Sequence, residues 1–228
     1  KVRLLKKNEI AENIGYAKNI ISLGMAGFIM QLTNGLVTIC CNNVLAVTGG
    51  DIYISVMTII SSVRQLVETP IHAMNEGASP ILSYNYGARK LDRVREAYLK
   101  AAISATIIST VSFICFQLFP RQIIGIFGSE SEAYFRFAEK FFRIFLFCTF
   151  INGLQPITAN FFTAIGKANR GIFLSLTRQV IFLLPLMIIL PIFFGIEGVM
   201  FSAPIADGFA AVCAITFAVK ELKSFQKL

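Results

Sequence analysis

Long apolar runs alternate with short polar breaks along this chain of 228 residues. Residues 1–18 are polar and basic. An apolar run then covers 19–47 and ends at Thr48-Gly49-Gly50-Asp51, a turn signal. Further runs cover 52–86, 97–119, 133–165, 172–194 and 199–219, and a basic tail occupies 220–228. The runs reach the ~20 residues that a helix needs to cross a hydrocarbon core. They lack the strict alternation of barrel strands, which are ~9–11 residues long. The pattern predicts an all-α membrane protein, a bundle of six transmembrane helices over 19–219. Within it, 87–100 is expected as a cytoplasmic amphipathic loop and 120–132 as an extracellular connector. Residues 89–100 read as a surface helix with Leu91, Val94 and Tyr98 on one face and Glu96 four residues before Lys100. Ser129 followed by Glu132 fits a capping box, in which each side chain satisfies a free backbone N–H of the other.

Composition agrees with the pattern. Hydrophobic residues make up 55% of the chain, charged residues only 15%, and the mean hydropathy is +0.68. Soluble domains run at about 45–50% apolar and about 25% charged, so this chain lacks the charged shell that water demands. The net charge of +8 does not indicate nucleic acid, because the basic residues stand between the apolar runs. With six spans, fifteen lysines and arginines fall on the side of the two termini and four on the other, Arg121, Arg136, Lys140 and Arg143. That asymmetry predicts both termini in the cytoplasm. The chain starts at Lys1 and shows no signal-peptide pattern, which suggests a fragment cut in a basic linker. Cys40, Cys41, Cys115, Cys148 and Cys213 lie inside apolar runs without CxxC spacing, as packing residues rather than metal ligands. With one histidine, no HExxH and no Walker pattern, no metal, cofactor or enzymatic reaction is expected.

Several polar residues stand where a bilayer should be. Arg64, Glu68, His72 and Glu76 follow one another at four-residue spacing, on nearly one helix face. Each charge at mid-bilayer costs at least about 2.5–3.5 kcal/mol, so they must face protein or water. Glu68 can pair with Arg64 or His72, and His72 is suited to proton handling. Gln31 and Asn34 in the first span, and Asn152, Gln155 and Asn160 in the fourth, can read a substrate or hold helices together. Arg178 and Asp207 carry opposite charge on adjacent spans and are expected to meet. Pro70, Pro80, Pro156, Pro185, Pro191 and Pro204 interrupt spans. Of these, Pro70, Pro80, Pro156, Pro185 and Pro204 are hinge candidates, since proline frees a carbonyl that neighbours or water must satisfy. Gly77-Ala78-Ser79-Pro80-Ile81 echoes Gly153-Leu154-Gln155-Pro156-Ile157, a small internal repeat before two cytoplasmic turns.

These residues also resemble a family. Pro80-Ile81, Ser83-Tyr84-Asn85-Tyr86-Gly87-Ala88 and Asp92-Arg93-Val94 resemble the end of the eighth helix of multidrug and toxic compound extrusion (MATE) transporters of the bacterial branch. Phe161-Phe162-Thr163-Ala164-Ile165-Gly166-Lys167-Ala168 resembles the segment after the tenth helix. Leu174-Ser175-Leu176-Thr177-Arg178-Gln179 and Pro204-Ile205-Ala206-Asp207 resemble the eleventh and twelfth, and Gln31 with Asn42-Asn43 the seventh. The resemblance implies the C-terminal six-helix lobe of a twelve-helix antiporter in a bacterial inner membrane, with 1–18 as the linker between lobes. It implies export of amphipathic, often cationic, compounds against H+ or Na+, with the N-terminal lobe and the bilayer as partners. Gln31, Asn34, Arg64, Glu68, His72, Asn152, Gln155, Arg178 and Asp207 are then the candidates for the substrate and ion pathway. Two departures stand out. Gln31, Asn34, Asn152 and Gln155 occupy helices in which some branches keep acidic coupling residues, which points to a coupling acid in the other lobe. Ala73 and Asn75 replace small residues common before the helix end. A flippase of lipid-linked saccharides, from the same superfamily, is the alternative, and a cationic cavity would favour it.

Overall fold

A computed structural model of the chain describes residues 32–33, 35–47, 51–127 and 132–225, and among these only helices and short turns occur. Gln31, Asn34, the turn at 48–50, Ser129 and the linker 1–18 lie outside the described residues. The order is α1 (Gly35–Val47), α2 (Asp51–Gly87), α3 (Leu91–Leu118), α4 (Pro120–Phe127), α5 (Glu132–Phe145), α6 (Thr149–Asn152), α7 (Leu154–Ala164), α8 (Ala168–Leu176), a π-helical segment (Thr177–Leu183), α9 (Leu184–Phe194) and α10 (Ile196–Phe225).

Among the described residues, these helices follow the apolar runs. Leu91–Leu118, Ala168–Phe194 and Ile196–Phe225 are each long and apolar enough to cross a membrane, and Tyr134–Phe145 with Thr149–Ala164 has that length and apolarity only when the bent pair is taken together. α2 has 37 residues, about 55 Å of helix, and its charges set it apart from the other spans.

The structure differs from the sequence reading in the third and fourth spans. No break separates 87–100 from the third span, because no glycine or proline stands between Leu91 and Leu118. Val94 and Tyr98 are buried, not spread on a membrane surface. They begin a stripe at three- and four-residue spacing that continues through Ala102, Ala105 and Ser109 along the same helix. The Tyr98 hydroxyl lies 2.9 Å from Thr158 Oγ1, and its ring packs on Phe161 at 4.6 Å between centroids. The fourth span bends by 41° between Phe145 and Thr149, ahead of Pro156 and not at it. Gly153 lets this broken region lie against α3. A Cβ there would stand 2.6 Å from Ser109 Oγ and 3.0 Å from the Ala105 carbonyl.

The fifth span widens into the π segment just before Pro185. The Leu184 N–H reaches back five residues to the Gln179 carbonyl. Proline has no N–H to continue the ladder, and a wide turn relieves its clash with the preceding one. α10 is the most enclosed span. Ala203, Ala206, Ala210, Ala211, Ala214 and Ala218 are all buried along it, small side chains that let neighbouring helices approach closely.

Two apolar cores result. One gathers Ile60, Phe141, Phe142, Met187 and Val199 toward one end of the bundle. The other gathers Tyr98, Phe161, Phe162, Leu174 and Ala218 toward the other end. Val67 touches both, and the buried charges Arg64 and Asp207 lie near this junction.

Candidate functional site

Three elements bring four charges together between the two cores. α2 supplies Arg64 and, one turn on, Glu68; the π segment supplies Arg178; α10 supplies Asp207. Arg178 Nε donates to Asp207 Oδ1 at 2.6 Å, so the expected pair forms. Arg64 Nη2 lies 3.5 Å from the same oxygen, and Arg64 Nε donates to Glu68 Oε1 at 2.8 Å. The Asp207 side chain is 3% exposed, against 13% for Arg178, 14% for Arg64 and 28% for Glu68. Two cations and two anions leave the cluster neutral. Neutrality matters here, because an uncompensated buried charge costs several kcal/mol. Arg64 Nη2 is buried without a hydrogen-bond partner, so the pairing is incomplete on that side. Asp207 Oδ1 is the shared point that ties α2, the π segment and α10.

His72 and Glu76 are not part of this cluster. Both are exposed on this chain's surface. A spacing of four residues drifts by about 40° per step around an α-helix, so the line that starts inward at Arg64 has turned outward by His72. Glu68, halfway, pairs with Arg64.

The fourth-span amides act as helix connectors in this structure. Gln155 Nε2 donates to the Leu174 carbonyl at 2.7 Å, and Asn160 Nδ2 to the Asn75 carbonyl at 2.9 Å. Asn152 is half-buried in α6. Pro70 and Pro80 lie inside α2 and Pro204 inside α10 without ending either helix.

A second buried carboxylate escaped the sequence reading. Glu221, assigned to the polar tail, is 3% exposed because α10 runs on to Phe225. Lys167 Nζ donates to its Oε1, and Arg170 Nη1 donates to its Oε2 at 2.7 Å. The available signal was its position fourteen residues after Asp207, about four helical turns along nearly the same face.

A model of the MatE family matches residues 25–189. The chain belongs to the MatE family. Among relatives, it is 24% identical to the multidrug export protein MepA of Staphylococcus aureus (strain bovine RF122 / ET3-1) over 196 residues, 86% of this chain and 43% of that protein. It is 24% identical to MepA of Staphylococcus haemolyticus (strain JCSC1435) over 96% of this chain and 49% of that protein. The chain thus spans about half the length of the curated relatives it matches. Those relatives are named as exporters, in line with the expectation of a protein that is not an enzyme. Among solved structures, the fold matches an outward-facing multidrug resistance MATE family transporter of the MOP superfamily with a TM-score of 0.84 at 21% identity, over 93% of this chain and 48% of that one. An inward-facing MATE family transporter matches equally, with a TM-score of 0.84 at 20% identity over 92% and 49%. The fold is that of one MatE half, all-helical among the described residues with several helices long and apolar enough to cross a membrane, and the chain is a membrane protein with the all-α bundle expected of it.

Proposed function

We propose that this chain is one lobe of an ion-coupled exporter. The whole protein would move amphipathic, cationic compounds out of a bacterial cell in exchange for H+ or Na+. Its second lobe would face this one across a central path in the inner membrane, and both ends of this chain would lie in the cytoplasm. The observation that carries the reading is the neutral cluster of Arg64, Glu68, Arg178 and Asp207 inside an apolar bundle. Intramembrane charges are retained against a cost of several kcal/mol, and they mark ion and solute pathways. Asp207 and Glu68 are the carboxylates of the cluster that can exchange an arginine for an entering cation. Alternating access fits the equal likeness to outward- and inward-facing family structures, since lobes that move as bodies keep their internal fold. The coupling acid of the other lobe, if present, would share this work.

The test is efflux of a fluorescent organic cation from cells expressing the full-length protein. Efflux is expected to stop with a proton uncoupler or on removal of Na+, and to fall about tenfold or more in the Asp207→Asn variant. Efflux indifferent to both gradients would overturn the coupling. Normal efflux by folded D207N would remove the cluster from the pathway.

A further inference from the structure

Two turns of this chain are built alike, yet only one is filled. One joins α2 to α3, the other α7 to α8. In each, a residue with left-handed backbone follows the helix end, Arg89 at φ 57 and Gly166 at φ 78. Their N–H groups reach back three residues, Arg89 to the Tyr86 carbonyl at 3.0 Å and Gly166 to that of Thr163 at 3.1 Å. The following lysines reach back five, Lys90 to Asn85 at 2.9 Å and Lys167 to Phe162 at 2.8 Å. This is the Schellman ending of a helix. Each lysine is also the N-cap of the next helix, and an arginine follows three residues on, in Lys90-Leu91-Asp92-Arg93 and Lys167-Ala168-Asn169-Arg170.

In the second turn the lysine and arginine grip the two oxygens of Glu221. In the first, no carboxylate among the described residues lies within ion-pair distance of Lys90 or Arg93. Both instead line a cavity of about 980 Å³ with Arg89, Asp92, Lys167 and Glu221. Glu221 is already held, so the cavity's free charge is basic, with Asp92 its one uncommitted acid. Arg93 also lines a groove of about 680 Å³ that descends between α2 and α3 past Ile81, Ala97 and Ala101 to Met74. Asn85, Ser104 and the charged pair Glu96 and Lys100, 2.7 Å apart, also line it. Met74 to Asn85 spans about 16 Å along α2, so a groove with an apolar strip of Met74, Ala78, Ile81, Ala97 and Ala101 adjoins the basic cavity at Arg93.

We propose that Lys90 and Arg93 hold the phosphate of an anionic phospholipid, with an acyl chain in the α2–α3 groove. The filled twin shows that this turn geometry presents a lysine and an arginine to one oxyanion. Phosphate suits the same pairing, since guanidinium and ammonium groups grip it as they grip carboxylate. The groove selects a lipid over a free anion, and basic pockets beside membrane helices take such headgroups.

Native mass spectrometry of the purified full-length protein tests this, with phosphatidylglycerol, phosphatidylcholine of the same chains, and inorganic phosphate as probes. Wild type is expected to retain phosphatidylglycerol over phosphatidylcholine. K90Q/R93Q should lose that preference by about tenfold or more, K90R/R93K should keep most of it, and R95Q, an exposed arginine lining neither cavity, should keep all of it. Ala101→Phe should weaken lipid retention without altering phosphate binding. Equal retention of both lipids, or equal loss in R95Q, would overturn the site. Phosphate binding that depends on Lys90 and Arg93, with lipid retention untouched by A101F, would overturn the lipid assignment.

Discussion

α10 carries two buried carboxylates, and their surroundings differ in kind. Asp207 and Glu221 are each 3% exposed, and each is gripped by two cations. The cations on Asp207 come from α2 and the π segment and are themselves only 14% and 13% exposed. Those on Glu221 come from one turn and are 36% and 48% exposed. Water can therefore take over the partners of Glu221 but not those of Asp207. Burial of the acid alone does not set the importance of an ion pair; what its partners can do without it does. The Glu221 clamp fastens a turn to the end of α10. The Asp207 clamp fastens three spans where the two cores meet.

The largest effect should follow from breaking the deeper clamp. Asp207→Asn leaves two arginines buried against one remaining carboxylate, a loss of about 3–5 kcal/mol, read as a lower unfolding midpoint in detergent. The exchanged pair R178D/D207R should recover part of that loss, because it restores the neutral cluster. Glu221→Gln should cost less, about 1–3 kcal/mol, because Lys167 and Arg170 can turn toward water. Equal losses for D207N and E221Q would erase the distinction between the clamps. His72→Ala sharpens it from the other side. His72 is exposed and outside the cluster, so its loss should stay within about 0.5 kcal/mol; a loss like that of D207N would place it inside. The smallest effect belongs to the connector. Arg121 meets Glu132 at 2.6 Å and holds that carboxyl below its ordinary range through a hydrogen bond and charge. A lowered folded-state value means stabilisation present above the ordinary Glu range and lost as pH falls through the lowered value. The Arg121→Gln variant should show less of this acid-dependent change, and carboxyl chemical shifts of Glu132 should report it directly.

Much of the bundle could be read in advance. Span length and apolarity depend on local composition, and the solvent, lipid, enforces helices. The meeting of Arg178 and Asp207 was legible for a related reason: two opposite charges on adjacent spans have few other partners. Glu68 with Arg64 followed from i, i+4 spacing. Other features depend on packing that no local pattern records. The inward face of Leu91–Tyr98 looked amphipathic, and nothing local told protein from membrane surface as its cover. The bend between Phe145 and Thr149 comes just before Gly153 packs on α3, a contact made by residues more than forty positions apart. Glu221 was hidden by its basic neighbours Lys220 and Lys223, which suggested a solvated tail although helical phase alone put it inside.

The wide turn at Thr177–Leu183 has a geometric consequence for the arginine it carries. Such a turn stores one residue beyond what an ordinary helical repeat would use over the same rise. If that surplus migrated along the fifth span, every residue it passed would rotate by roughly 100° about the axis. Arg178 could then be swung off Asp207 with no tilt of the helix and no break in its ladder, the way a ratchet advances a single tooth.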